Sequence, residues 1–171
     1  MEERPVGSIC DEKLFNELFS THSKDLHDFL YYKFGGEHNP KDIVQEAFLK
    51  LWDNCHKVAF GKVRSFLFTV ANNQMLNELS KKKTVLTYAQ QKPKQHTIES
   101  PEYIMEENEY MNKLQSAIEN LTEEQRVAFL LNRVEGKKHK EIAALLEISR
   151  KAVEKRIYTA LKKLRDQVGD I

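Results

Sequence analysis

Apolar side chains recur along this sequence three and four positions apart, and glycine and proline, which would break such a pattern into turns, number only six and four. Positions i, i+3, i+4 and i+7 share one face of a helix, whereas a half-buried strand alternates, so the spacing selects helices. Long stretches without either breaker let those helices run. An all-α fold is the expectation. From Asp11 to Phe34 the pattern passes through Leu14, Phe15, Leu18, Phe19, Leu26, Phe29, Leu30 and Phe34, and Gly35-Gly36 ends it. Asn39-Pro40 supplies an N-cap and a first-turn proline for a second helix that carries Ile43, Ala47, Phe48, Leu51 and Trp52. After a short loop, Asn54 to Lys62, a third helix carries Val63, Phe66, Leu67, Val70, Ala71, Leu76 and Leu79 and ends in Lys81-Lys82-Lys83. Three such helices suffice to bury one small core.

The periodicity then lapses. Thr84 to Glu99 is rich in glutamine, contains Lys92-Pro93-Lys94 and has the composition of a flexible tether. At 171 residues the chain has room for two small domains. The expected division is a first domain at 10–83, a linker at 84–100 and a second domain at 101–168. Ser100-Pro101 reads as N-cap and first-turn proline for a helix striped by Ile104, Met111, Leu114, Ile118 and Leu121, with Glu102, Glu106 and Glu107 at its dipole-positive start. Thr122-Glu123-Glu124-Gln125 is a capping box that opens the next helix, and Gly136 closes it. Two more helices, near Lys138–Leu146 and Arg150–Val168, stand only three residues apart.

A formal net charge of +1 conceals strong segregation. Residues 61–96 hold seven basic and one acidic side chain, a net +6, and residues 133–171 hold eleven and six, a net +5. Between and before them, residues 97–132 carry a net −6 from two basic and eight acidic, and residues 1–39 a net −4 from four and eight. Two separate basic blocks point to a polyanionic partner. Cys10 and Cys55 form no CxxC pair, so reduced thiols are expected, with no zinc site, redox motif or other metal or cofactor site. The N-terminus lacks a signal-peptide pattern and no apolar run reaches membrane-span length, so a cytoplasmic protein without membrane insertion of its own is the expectation.

The closing helix pair has helix-turn-helix spacing. Ala143 is small where the helices would cross, Ile142, Leu146 and Ile148 supply core, and Ser149 can cap the second helix. That helix puts Val153, Ile157, Ala160, Leu161 and Leu164 on one stripe and Lys151, Lys155, Tyr158 and Lys162 on the other side. An uncovered basic face at the start of a capped helix meets the requirements of major-groove docking, and a charged solvent face on a plain helix pair would look the same.

Longer motifs carry a resemblance. His139-Lys140-Glu141-Ile142-Ala143-Ala144-Leu145-Leu146-Glu147-Ile148-Ser149, followed by Val153 and Ala160-Leu161-Lys162-Lys163-Leu164-Arg165, resembles region 4 of bacterial sigma factors, as does Leu121 to Phe129 before it. Pro40-Lys41-Asp42-Ile43-Val44-Gln45-Glu46-Ala47-Phe48-Leu49-Lys50-Leu51-Trp52 resembles sigma region 2, and the two stand in the family's order. With no large domain between them, the chain resembles the extracytoplasmic-function type, group IV of the sigma-70 superfamily. Phe66-Leu67-Phe68-Thr69-Val70-Ala71 is similar to versions from the Bacteroidetes group.

The resemblance implies a sigma factor with promoter DNA, the RNA polymerase core (its β′ clamp and β flap) and an anti-sigma factor as partners. It assigns Asp42, Gln45, Glu46, Leu49 and Trp52 to the polymerase clamp, although Trp52, like Phe48 and Leu51, is of a kind more often core than contact, which leaves Gln45 and Glu46 as the stronger candidates. It assigns Phe60, Lys62, Arg64, Asn72, Asn73, Asn77, Lys81, Lys82 and Lys83 to melting and holding the −10 element, with Phe60 either stacking on a base or packing inward. Arg150, Lys151, Glu154, Lys155 and Tyr158 would read the −35 element. Asn72 and Ser80 stand where relatives carry arginine, Asn77 where they carry aspartate, and Glu147 replaces the usual glycine of the turn. A helix-turn-helix regulator whose first domain senses a ligand or dimerises is the alternative. An enzyme is not expected: the six histidines show no HxxxH or HExxH spacing, and no phosphate loop or GxSxG turn occurs.

Overall fold

The computed structural model describes residues 8–88 and 102–169, and all the regular structure among them is helical. The helices are α1 (Glu12–Phe34), α2 (Pro40–Asp53), α3 (Val63–Tyr88), α4 (Glu102–Glu119), α5 (Glu123–Arg133), α6 (His139–Leu146) and α7 (Arg150–Val168), with short 3₁₀ turns at Gly36–His38 and Phe60–Lys62. They fall into two compact units, residues 1–90 and 91–171. The third helix continues past the lysine run to Tyr88, five residues into the segment expected to be linker. The proposed Ser100-Pro101 cap lies outside the described residues.

In the first unit α3 packs on both α1 and α2. Asp11 caps α1, its carboxylate accepting from the Leu14 amide at 3.0 Å, and Gly35 at φ 92° ends the helix in a conformation that a Cβ would strain. Asn39 occupies the N-cap of α2 but makes no side-chain cap. It sits at φ 48°, and its carbonyl accepts from the Asp42 amide at 3.1 Å, so the expected asparagine cap is replaced by backbone geometry that asparagine tolerates. The core collects Leu14, Leu18, Leu26 and Leu30 from α1, Ile43, Val44, Ala47, Phe48 and Leu51 from α2, and Val63, Leu67, Ala71 and Met75 from α3. Met75 is fully buried, whereas Leu76, the residue expected there, is exposed. The row Val63, Leu67, Ala71, Met75 advances by four each time, and Leu76 lies about 100° further round the helix.

Polar bonds tie the helices laterally. Lys33 Nζ donates to Asn72 Oδ1 at 2.7 Å, joining α1 to α3, and Lys50 Nζ donates to Gln74 Oε1 at 3.1 Å, joining α2 to α3. Asp28, buried on α1, is matched by Lys24 at 2.6 Å and His27 at 3.3 Å.

The cysteines correct the sequence-based expectation of free thiols. Cys10 and Cys55 are joined by a disulfide, with Cα atoms 5.2 Å apart. Helices α1 and α2 pack on one another and the chain doubles back between them, so the start of α1 and the end of α2 meet although the residues are 45 positions apart. Cys55 and Ile9 thereby join the core.

In the second unit α7 packs on α4, α5 and α6. The capping box at Thr122 is formed: the Gln125 amide donates to Thr122 Oγ1 at 3.3 Å and the Thr122 amide to Gln125 Oε1 at 3.4 Å. On α4 the inward stripe is Leu114, Ala117 and Ile118, Leu121 joins the same core just past its end, and Met111, expected on the stripe, is exposed.

Two outcomes test this packing. Truncating Met75 to alanine should lower unfolding stability by about 2–5 kcal/mol, because the side chain has no exposed surface and its loss leaves a cavity; chemical denaturation measures it. His22, half-buried on α1, has its pKa lowered from 6.5, first by burial and then by Arg64, with Asp25 opposing. The unfolded chain therefore takes up this proton first as pH falls below 6.5, and stability should drop from there toward the lowered folded-state value. In His22→Gln the acid-side fall in urea midpoint should be shallower.

Candidate nucleic-acid interface

The helix-turn-helix is built by α6, residues 147–149 and α7. Ile142 and Leu145 are the buried residues of α6, with Leu146 and Ile148 half-buried, so Leu145 takes the core place expected for Leu146. Glu147 adopts the left-handed conformation at φ 54° where a glycine would be unstrained. The Ile148 amide donates to the Ala143 carbonyl at 3.0 Å, and the Ala152 amide donates to Ser149 Oγ at 3.2 Å, so the turn is closed on both sides. Between α5 and α6, Gly136 takes φ 66° and Asn132 Nδ2 donates to the Lys137 carbonyl at 2.8 Å.

These constraints fix which face of α7 is outward. Val153, Ile157, Ala160 and Leu164 are buried. Arg156 pairs with Glu124 at 2.9 Å and Lys163 Nζ donates to Gln125 Oε1 at 3.1 Å, anchoring α7 to α5. Lys151, Lys155 and Lys162 are exposed, and Tyr158 is 73% exposed, more than any other large hydrophobic side chain described. Arg150 and Glu154 pair with each other at 2.9 Å, and His139 Nδ1 lies 3.7 Å from the same carboxylate oxygen. His139 was no sequence-based candidate, because only the α6–α7 crossing brings it to Glu154. Lys138, His139, Lys140 and Arg150 line a shallow concavity with Asn132, a cationic recess beside the start of α7.

The first unit offers two further surfaces. Asp42, Gln45, Glu46, Leu49 and Trp52 all lie exposed on α2, with Leu49 at 63% and Trp52 at 41%. Trp52 packs edge-to-face on Phe15 at 5.0 Å, so it is both a support for α1 and an outward ring. Phe15, Phe19, Phe48, Leu49 and Trp52 line an open groove of about 570 Å³ edged by Glu12 and Gln45. Exposed apolar area edged by amide and carboxylate groups suits a partner helix bearing arginines.

The second surface holds the residues expected at the −10 element. Phe60 is 42% exposed on its 3₁₀ turn beside exposed Lys62. Asn73, Asn77 and Lys81 are exposed at intervals of four along α3. Asn72 differs: it is half-buried and its carbonyl oxygen is engaged by Lys33. Arg64 is half-buried too, its guanidinium 5.8 Å from the Phe68 ring centre. Lys82 and Lys83 lie on α3, and their side chains are outside the described residues.

A helical unit with an outward amphipathic helix, followed by a helix-turn-helix with a basic outer face, defines a class of DNA-binding transcription factor. Comparison with known proteins makes it specific: sigma-70 region 2 matches residues 18–85 and sigma-70 region 4 matches residues 111–164, together spanning most of the chain. The chain is 24% identical over 160 residues to the ECF RNA polymerase sigma factor SigE of Mycolicibacterium smegmatis, covering 91% of this chain but 62% of that relative. It is 27% identical over 150 residues to the ferric citrate uptake sigma factor FecI of Escherichia coli, covering 86% of this chain and 87% of FecI. The fold resembles that of the sigma factor RpoE of Bartonella quintana, solved in complex with the anti-sigma factor NepR, at TM-score 0.57 and 18% identity over 91% of this chain and 96% of that one. The chain belongs to the sigma-70 family and is an extracytoplasmic-function sigma factor. The regulator alternative does not account for region 2, and the Bacteroidetes grouping rests on residues 66–71 alone.

Glu147 yields a direct test of the turn. Glu147→Gly should raise the stability of the helix-turn-helix unit by about 1 kcal/mol, seen as a later thermal transition, because glycine occupies this backbone conformation without a Cβ clash.

Proposed function

We propose that this protein binds the RNA polymerase core through α2, opens the −10 element with the 54–62 segment and α3, and places the start of α7 in the major groove of the −35 element. It takes part in transcription initiation by binding and not by catalysis, and it works in the cytoplasm, where polymerase and chromosome are. The observation that carries this reading is the presence, in one chain and in family order, of region 2 with an uncovered α2 face and region 4 with an uncovered basic face on α7.

At the polymerase, Gln45 and Glu46 are the polar contacts and Leu49 the apolar one, while Trp52 holds the groove open by resting on Phe15. At the −10 element, Phe60 supplies a stacking ring, Lys62 and Lys81 phosphate contacts, and Asn73 and Asn77 base-edge donors and acceptors. Asn72, through Lys33, serves to position α3 against α1, and Arg64 lies over Phe68 on the same helix. At the −35 element, Arg150, Lys151, Glu154, Lys155 and Tyr158 face the groove. The Arg150–Glu154 pair must exchange partners on binding, which lets a guanine edge compete for the guanidinium and a cytosine amine for the carboxylate. An anti-sigma factor that covers the apolar α2 groove would hold the protein inactive.

Run-off transcription with purified core enzyme on promoter-bearing genomic DNA tests the whole reading; initiation at discrete sites is expected, and a failure to bind core would refute it. Lys151→Ala with Lys155→Ala should lower promoter affinity and flatten the log–log salt dependence by about 0.9 per lost phosphate contact. Glu46→Lys with Leu49→Asp should abolish association with core polymerase in gel filtration while leaving the helical content unchanged.

A further inference from the structure

The Cys10–Cys55 bond is accompanied by an imidazole. His56 Nδ1 lies 3.2 Å from Cys10 Sγ, and the ligating atoms of Cys10, Cys55 and His56 lie within 4.8 Å of one another. The three differ in access: His56 is exposed, Cys10 is partly exposed and Cys55 is 8% exposed within the core. A thiol at the surface beside a base, backed by a second thiol within bonding distance but shielded, is the arrangement that reversible oxidation needs. Disulfides of cytosolic proteins are mostly transient ones of this kind, so the redox role rests on the cytoplasmic reading above.

We propose that Cys10 and Cys55 form a reversible oxidation site for peroxides, with Cys10 the attacking thiol, Cys55 the resolving thiol and His56 the base that takes the Cys10 proton. The Cys10 thiolate attacks one peroxide oxygen; an S–O bond forms, the O–O bond breaks, and the leaving oxygen departs as alcohol or water with a proton. The Cys55 sulfur then attacks the sulfenic sulfur of Cys10, the S–S bond forms, and the hydroxyl leaves as water. The two sulfurs together lose two electrons and the peroxide gains them. A dithiol reductant restores both thiols by exchange and is itself oxidised to a disulfide.

The bond fixes the last turn of α2 and the first residues of the segment that leads to Phe60. In that segment the Lys57 amide donates to the Asn54 carbonyl at 2.8 Å, the Val58 amide to the same carbonyl at 3.1 Å, and the Lys62 amide to the Ala59 carbonyl at 2.8 Å. Oxidation therefore stiffens residues 54–62, and reduction loosens them.

The test uses the full chain, reduced and freed of reductant, then exposed to one equivalent of hydrogen peroxide. Two free thiols should fall to none, in a monomer lighter by two hydrogens, and dithiothreitol should restore them. In Cys55→Ser, a sulfenic acid should be trapped on Cys10 by dimedone. His56→Ala should slow thiol loss by roughly a hundredfold, the low end of what a positioned base contributes, with circular dichroism confirming that the variant is folded. Hydrogen exchange at Lys57, Val58 and Lys62 should quicken on reduction of the wild type. The proposal is overturned if the thiols survive peroxide, if dimedone labels Cys55 in Cys10→Ser faster than Cys10 in Cys55→Ser, or if exchange at 54–62 ignores the redox state. It is equally overturned if the reduced protein takes one equivalent of Zn2+ that blocks oxidation at ambient metal levels, which would assign the cluster to metal binding. None of these readouts involves polymerase or DNA, so their failure is separate from any failure of the promoter reading.

Discussion

Each unit of this protein depends on one helix that is apolar along a narrow stripe. On α3 the stripe is Val63, Leu67, Ala71 and Met75, against which α1 and α2 close; on α7 it is Val153, Ile157, Ala160 and Leu164, against which α4, α5 and α6 gather. Burying a large apolar side chain contributes roughly 1.5–3 kcal/mol, and a unit of this size has few to bury, so the stripe cannot be spared. Half-buried side chains flank each stripe, and beyond them the outer side of the central helix stays exposed. Asn73, Asn77 and Lys81 on α3, and Lys151, Lys155 and Tyr158 on α7, occupy that side. Core and proposed binding surface are two sides of the same helix in both units.

Polar contacts between helices fix the rotation that the stripes alone would leave loose. Lys33 to Asn72 and Lys50 to Gln74 hold α3 from either side, and Arg156 to Glu124 and Lys163 to Gln125 hold α7 on α5. Partly exposed pairs of this kind add little stability individually. Their effect is directional: turning α7 by one residue would break both links and swing Lys151 and Lys155 away from the outer face. The same economy appears in Trp52, which braces Phe15 with one edge of its ring and presents the rest outward.

Helix identity was legible because spacing and capping agree at several places. Ser149, the Thr122–Gln125 box and Gly35 each mark a boundary by local chemistry that needs no distant partner, and the structure places all three at those boundaries. Which apolar residue within a stripe goes inward was less legible. Met75 rather than Leu76, Leu145 rather than Leu146, and the outward turn of Met111 depend on the angle at which a neighbouring helix crosses, and neighbouring positions on a helix differ by about 100°. The linker limit near residue 83 was set by a lysine run, yet lysine is a good helix former and α3 continues through it.

The sequence by itself determined the all-helical class, the two-part organisation, the helix-turn-helix and the family, because each is written in local periodicity and contiguous motifs. Tertiary structure alone decided the partnerships between distant residues: Cys10 with Cys55 and His56, Lys33 with Asn72, and His139 with Glu154. Periodicity says which face of a helix is buried but not which helix meets it or where. The antiparallel return of α2 along α1 brings residues 45 positions apart to a Cα separation of 5.2 Å, and no pattern read along the chain contains that distance.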